Sequence, residues 1–271
     1  MSAPRRIAIV TGAASGIGKA IALKLASDGF NVALNDLPRS LNKLNDVAAL
    51  ASQHGVDIML VPGDVSSESD VEKIIDDTVK RFGGLDAVRP TNRLMIADAC
   101  WSVSYQMIAN AGVADPEPVP VADSEYLYLT YRMISRRRQW LGAVKVERWD
   151  RMFAVHVRGT FLCYKYAVRQ MIRQGRGGRI VGASSVLGRQ GLPYAAHYSA
   201  AKFAIRGLTQ AVGTSMFVFS ISRQLTFKGT AQEVGKHGIT VNTYAPGMFF
   251  DSKCNMLSWC NFSGLIDTPM S

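Results

Sequence analysis

Tyr198 and Lys202 stand four residues apart in Tyr198-Ser-Ala-Ala-Lys202, and Ser185 lies 13 residues ahead of the tyrosine. On a helix, positions four apart share a face, so a phenol and an ammonium would meet. A free phenol titrates near pH ~10 and is a poor base at neutrality. A neighbouring ammonium favours the phenolate and lowers that value, and a positively charged nicotinamide would lower it further. Tyr198 could then take a proton from an alcohol, or give one to a carbonyl oxygen, as hydride moves. The Ser185 hydroxyl could hold the substrate oxygen. Tyr-x-x-x-Lys is common by chance; its chemical meaning depends on what accompanies it.

What accompanies it is a glycine loop near the N-terminus, Thr11-Gly12-Ala13-Ala14-Ser15-Gly16-Ile17-Gly18. Glycines let the chain turn tightly and let a pyrophosphate approach a helix N-terminus, where N–H groups and the dipole favour an anion. Gly12, Ser15, Gly16, Ile17 and Gly18 are therefore candidate dinucleotide ligands. Asp36 follows 18 residues after Gly18. A carboxylate there accepts ribose hydroxyls and repels a 2′-phosphate, which favours NAD, while nearby Arg39 could serve the phosphate of NADP. Asp64 and Val65 either contact the adenine edge or, through the Asp, cap the next helix.

These residues need a scaffold that brings residues 12, 36, 64, 185 and 198 to one edge. Residues 5–10 form a short apolar run, read as a buried strand, and 16–26 show helical periodicity with Ile17, Ala20, Ile21 and Leu25 on one face. Further strands are predicted at 31–35, 57–61, 179–183 and 239–244, with a fourth strand beginning at 85–88. Helices are predicted at 40–53, 67–82, 148–172 and 197–211. Strands alternating with helices of this length point to βαβ units and a parallel sheet. No internal repeat and no linker breaks the chain, so one domain over 1–271 is expected.

The set Thr11–Gly18, Asp64, Asn110-Ala111-Gly112, Ser185, Tyr198-Ser-Ala-Ala-Lys202 and Pro246-Gly247 resembles, in order, the motifs of the short-chain dehydrogenase/reductase family. The resemblance covers most of the chain. It implies an α/β fold, a Rossmann-type doubly wound parallel sheet of seven strands, and NAD(P)-linked oxidation of alcohols or reduction of ketones. By that resemblance Tyr198 is the acid/base, Ser185 orients the substrate, and Lys202 binds the nicotinamide ribose and tunes Tyr198. Asn110, Ala111 and Gly112 line the cofactor cleft with Pro246 and Gly247, and Thr268 holds the carboxamide. Gly207-Leu208-Thr209-Gln210 and the stretch from Gly178 to Ser185 look most like the acetoin/butanediol dehydrogenase and 3-oxoacyl reductase branches. The family usually forms dimers or tetramers through its two long helices, so a homodimer or homotetramer in the cytoplasm is expected.

Two departures stand out. His156 occupies the position where the family carries an Asn, three residues before Gly159, that helps hold a water linking the lysine to solvent. A His also donates and accepts but is larger and titrates near neutrality. It is either a tolerated replacement or a pH-sensitive relay. Four stretches, 89–107, 125–145, 212–229 and 248–264, also interrupt family-like sequence, and excising each restores a family-like junction. Natural insertions belong in surface loops, yet these fall within a predicted strand, within the predicted catalytic helix, and between Pro246-Gly247 and Thr268. They are read as translated introns. The family also continues well beyond Ser271, so the expected fold is truncated before its last strand, and this chain is expected to be poorly stable and weakly active or inactive, the alternative function being a non-catalytic dinucleotide-binding protein.

Composition fits a domain with a sizeable core: 48% hydrophobic and 19% charged residues. Four cysteines without a C-x-x-C pair exclude a disulfide scaffold, and no cluster has metal-ligand spacing. There is no apolar run long enough for a bilayer and no secretory signal. The net charge of +10 raises nucleic acid as a partner, with Arg136-Arg137-Arg138 among tyrosines. Most of that charge, with Cys100, Cys254 and Cys260, lies in the four stretches. The expected partner is therefore a small alcohol or ketone, not nucleic acid or membrane.

Overall fold

A computed structural model of the chain describes residues 6–85, 106–109, 141, 144–193, 195–213, 233–245, 249–250 and 256–258. Asn110, Ala111, Gly112, Pro246, Gly247, Thr268 and the Arg136–Arg138 run lie outside the described residues. In chain order the elements are β1 (Ile7–Thr11), α1 (Gly16–Ser27), β2 (Asn31–Asn35), α2 (Leu41–Ser52), β3 (Ile58–Leu60), α3 (Glu68–Phe82), β4 (Gln106–Ala109) and α4 (Val146–Phe153). There follow a π-helical segment (Ala154–Arg158), α5 (Gly159–Gln174), β5 (Gly178–Ala183), α6 (Ala196–Gly213) and β6 (Ile239–Tyr244). Two short strands, β7 (Phe249–Phe250) and β8 (Met256–Ser258), pair antiparallel as a separate ribbon.

The main sheet has six parallel strands in the order β3-β2-β1-β4-β5-β6. β1 shows why the sheet is covered on both faces. Ile7 and Ile9 join the core beneath α3 and α5, whereas Ala8 and Val10 join the core beneath α1 and α2. Successive side chains of a strand point to opposite faces, so a continuous apolar run is the signature of a strand buried on both sides. Arg6, just before β1, lies over the Phe30 ring at 4.1 Å.

The helices follow from local signals. α3 begins at Ser67, whose side chain accepts from Asp70 N–H, carries Glu68 and Asp70 in its first turn, and stops at Gly83 with φ 82°. α1 buries Gly18, Ile21, Ala22, Leu25 and Ala26, so its core face is rotated from the expected one and Ala20 is exposed. The predicted helix 148–172 is one continuous rod with a π-helical segment in its middle.

The fourth strand differs from expectation. Leu85 is buried in a bend, 86–88 lie outside the described residues, and the strand beside β1 is Gln106–Ala109, paired Ala8↔Gln106, Ile9↔Met107 and Val10↔Ile108. Gln106 and Met107 were placed by sequence in the first interrupting stretch. Both candidate segments can precede Ile108 in a short strand by sequence, and only pairing with β1 and β5 selects Gln106–Ala109.

Candidate active site

The strand order reverses direction at β1, which sits between β2 and β4. α1, which follows β1, packs on one face and α5, which lies between β4 and β5 in the chain, packs on the other, an arrangement that opens a crevice beyond the carboxyl ends of the strands. A cleft of about 620 Å³ lies there. The loop after β1 (Gly12, Ser15), the end of β2 with its following turn (Asp36, Arg39) and the loop after β3 (Gly63, Asp64, Val65) line it, faced by Arg151, Ala154 and Val155 of the long helix.

The glycine loop is shaped for an anion. Gly12 and Gly16 have φ of 65° and 55°, a region that side-chain-bearing residues rarely adopt. Ser15 precedes α1 in extended conformation without a side-chain cap, leaving first-turn N–H groups to a ligand. Gly18 is buried and Ile17 packs against the core, so these two shape the loop from below. Asp36 ties the loop down: Ala14 N–H donates to Oδ2 at 3.1 Å and Leu37 N–H to Oδ1 at 2.8 Å. Asp64 neither caps α3, which Ser67 does, nor stands idle; its Oδ1 accepts from Ser66 N–H and Ser66 Oγ. Val65 is buried under Gly159, where a Cβ would come within 3.0 Å of Val65 Cγ2. That close approach is what seats the long helix against the cleft.

The second group gathers where β5 meets α6. Ser185, buried just past the end of β5, accepts from Leu187 N–H at 3.2 Å, and its hydroxyl lies close enough to Tyr198 to favour the phenolate. Lys202 is 4% exposed and donates from Nζ to Ala183 O at 2.8 Å, with Nζ 5.4 Å from the Tyr198 ring centre. His156, in the π-helical segment, presents its ring edge-on to Tyr198, with ring centres 5.6 Å apart and planes at 89°. π-helical turns inside α-helices are frequent at functional sites.

The electrostatics correct one expectation. Burial pushes the Tyr198 phenol above its ordinary value of 10, an effect the Ser185 hydrogen bond only partly offsets. Burial likewise pulls the Lys202 ammonium down to about 7. Burial thus works against the fixed cation that the spacing suggests for Lys202. No carboxylate among the described residues compensates it, and desolvation outweighs proximity.

The family comparison rests on the same elements. The family profile described as short chain dehydrogenase matches residues 6–222. The chain belongs to the short-chain dehydrogenase/reductase family. Its members are oxidoreductases. This short-chain dehydrogenase is 38% identical over 244 residues to the short-chain dehydrogenase/reductase eriH of Hericium erinaceus, covering 89% of this chain and 73% of the relative. It is 31% identical over 251 residues to the 3-oxoacyl-(acyl-carrier-protein) reductase FabG of Staphylococcus aureus, covering 93% and 77%. It also matches the crystal structure of the acetoin dehydrogenase YohF from Salmonella typhimurium with a TM-score of 0.63 at 28% identity, covering 90% of this chain and 73% of that one.

Several site-building residues of this dehydrogenase carried no motif. Asn35 is buried and donates from Nδ2 to Val61 O at 2.8 Å and Gly63 O at 3.2 Å, holding together the cleft ends of β2 and β3. A polar residue ending an apolar strand was its only signal. Ser184 donates to Lys202 O at 3.1 Å, and Gly188 packs so closely there that a Cβ would lie 2.8 Å from that same carbonyl. Arg151 on the cleft wall had no sequence signal at all. Cys163 is buried, its thiol pushed up to about 12, and serves the core. Among the described residues no helix is long and apolar enough to cross a membrane, and no His/Cys/Asp/Glu group is placed to hold a metal.

Proposed function

We propose that this chain transfers hydride between NAD(P) and a small secondary alcohol or its ketone, of the acetoin/diol or 3-oxoacyl kind, with Tyr198 as acid/base. The observation that carries this is buried Lys202, bonded to Ala183 O with its Nζ 5.4 Å from the Tyr198 ring centre, beside Ser185 and at the sheet edge that also bears the glycine loop. The residues present suit a dinucleotide: an uncapped helix start behind two positive-φ glycines for the pyrophosphate, and Asp36 for the ribose hydroxyls. Gly12, Ser15, Gly16, Ile17, Gly18, Asp36, Asp64 and Val65 would hold the adenosine and pyrophosphate. Asn110, Ala111, Gly112, Pro246, Gly247 and Thr268 would complete the nicotinamide end. Each carboxylate oxygen of Asp36 takes one backbone N–H and keeps capacity for a hydroxyl, which supports NAD as the preferred form.

Bound there, the nicotinamide supplies or accepts the hydride. Ser185 Oγ donates to the substrate oxygen and orients it toward Tyr198 Oη. In oxidation the phenolate takes the hydroxyl proton, and in reduction the phenol returns one to the carbonyl oxygen. Lys202 donates to the nicotinamide ribose, and an anion or polar partner there raises its own proton affinity, restoring the charge that favours phenolate. His156 holds the phenol ring from its edge. The relatives named for acetoin and 3-oxoacyl substrates support a small ketone. Exposed Phe161, Ile172 and Phe203 on α5 and α6 support self-association through the long helices.

Fluorescence titration with NADH and NADPH, followed by acetoin, diacetyl, 2,3-butanediol and acetoacetyl thioester assays, tests this reading. Tyr198→Phe should retain dinucleotide binding and lose about 10²-fold or more in kcat. Turnover unchanged in that variant refutes the mechanism.

The chain is further proposed to be a single domain interrupted by the stretches 89–107, 125–145, 212–229 and 248–264. The family match spans residues 6–222, a range that includes the first two, and the first lends Gln106 and Met107 to β4. Genomic DNA compared with cDNA across the four junctions tests their origin as introns; a spliced transcript retaining all four, with abundant protein, overturns it.

A further inference from the structure

Three consecutive residues at the end of β5 reach α6. Ala183 O accepts from the Lys202 ammonium at 2.8 Å, and Ser185 stands beside Tyr198. Between them Ser184, 2% exposed, donates from Oγ to the backbone carbonyl of the same Lys202 at 3.1 Å. The Ser184 N–H donates to Tyr244 O of β6 at 2.8 Å, which pins the residue to the sheet from its other side. Lys202 lies inside α6, where a carbonyl already serves the N–H four residues on. The bond from Ser184 uses the second lone pair of that oxygen, so the helix does not need it for its own sake. Its effect is geometric. β5 grips Lys202 at both ends, by its carbonyl through Ser184 and by its tip through Ala183. Apolar contact beneath a helix is non-directional and tolerates sliding, whereas a hydrogen bond fixes one position. The fit is tight: a Cβ on Gly188 would overlap Ser184 Oγ and come 2.8 Å from the Lys202 carbonyl.

We propose that Ser184 is a positioning residue of the reaction: by holding the Lys202 carbonyl to the end of β5 it sets the height of α6 over the strand, and with it the placing of the Lys202 ammonium and the Tyr198 phenol. Ser184 acts through Lys202 and needs no contact with substrate. This rests on the acid/base reading of Tyr198 and adds a residue which that reading does not use. Tyr198 stands one turn before Lys202 on the same face, so what fixes the lysine fixes the phenol. Lys202 Nζ has three donors and spends one on Ala183 O, which leaves two for the nicotinamide ribose while the backbone keeps its place. A misplacement of about 1 Å at the reacting groups costs up to about 10²-fold in rate, so losing one of the two grips should cost about tenfold.

The test uses the full chain with NADH and a ketone of the acetoin or acetoacetyl kind. Ser184→Ala should lower kcat about tenfold and leave ketone KM and NADH affinity within about twofold. Ser184→Thr, which keeps the hydroxyl, should recover most of the loss. Ser184→Cys, close in size but a weak donor, carries the alanine expectation if circular dichroism shows that Ser184→Ala does not fold. Thr209→Val is the control for a merely structural contact. Thr209 lies about two turns beyond Lys202 and hydrogen-bonds Tyr164 Oη at 2.9 Å. Its loss should lower the urea midpoint and leave kcat within about twofold. A second readout needs no turnover. In the parent, buried Lys202 makes the folding constant rise about tenfold per pH unit between about pH 7 and 10.5. Ser184→Ala lets water reach the lysine and should reduce that rise by about threefold or more per unit. The proposal is overturned if Ser184→Ala keeps kcat within about twofold of the parent, if Thr209→Val loses as much kcat as Ser184→Ala, or if the pH slope of stability is unchanged. Tyr198→Phe separates this from the reading beneath it. If Tyr198→Phe turns over like the parent, both fall; if it loses rate and Ser184→Ala does not, the positioning role falls alone.

Discussion

Lys202 makes the sharpest test of the site's electrostatics. Its ammonium is almost fully buried against one carbonyl and falls from its ordinary 10.5 to about 7. Between about pH 7 and 10.5 the unfolded chain therefore holds a proton that the folded chain lacks. Stability rises with pH through that window, by about 1.4 kcal/mol per pH unit from this group. Below pH 7 both states are protonated and the cost of burying the charge is present in full. Lys202→Met keeps the apolar stem and removes the titration. The variant's advantage over the parent should be greatest near pH 6 and shrink by about 3 kcal/mol at pH 9.5, where the folded lysine is already neutral and the unfolded one still mostly charged. Cys163 and Tyr164, both pushed up by burial, titrate in the two chains alike and cancel in the difference. Urea unfolding at pH 6, 7.5 and 9.5 measures the gap, read by tryptophan fluorescence, with Trp149 stacked on Phe153, and by far-UV circular dichroism. A gap that does not change with pH, or that widens as pH rises, refutes the reasoning.

Three further outcomes are expected. Asn35→Ala leaves two carbonyls at the cleft floor without their donor and should cost about 1–3 kcal/mol of stability, with weaker binding of both dinucleotides; a urea midpoint and an NADH titration measure the two effects. Gly188→Ala drives a Cβ into Ser184 Oγ and the Lys202 carbonyl, and should cost about 1–3 kcal/mol of stability, read as a lower urea midpoint with an unchanged slope. His156→Ala removes the edge-on ring from Tyr198 and should lower kcat about tenfold while KM stays within about twofold; a change confined to KM would show that the ring does not orient the phenol.

Much of the scaffold was legible because its signals are local. β1 is an apolar run, β2 an apolar trio between asparagines, β5 and β6 alternate buried with half-buried residues over their first four positions, and α3 announces itself with a serine cap, early acids and a terminal glycine. The glycine loop, Asp36, Ser185, Tyr198 and Lys202 were legible too, since short motifs fix which groups approach one another along one helix or one loop. β4 was not, because its choice depends on hydrogen bonds to β1 and β5, far away in sequence.

The sequence by itself determined the kind of fold and the chemical groups at its edge, for patterning of period two or 3.6 and fixed loop chemistry are written residue by residue. Only the tertiary structure decided what those groups are physically. Packing places Lys202 where no carboxylate among the described residues offsets its charge, so burial, not spacing, sets its protonation. It turns Asp36 toward the glycine loop, closes Gly159 onto Val65, and brings Arg151 to the same cleft as Arg39 from more than a hundred residues away. Solvent exclusion and long-range proximity belong to the assembled molecule, because they depend on which surfaces meet, and no local pattern carries that information.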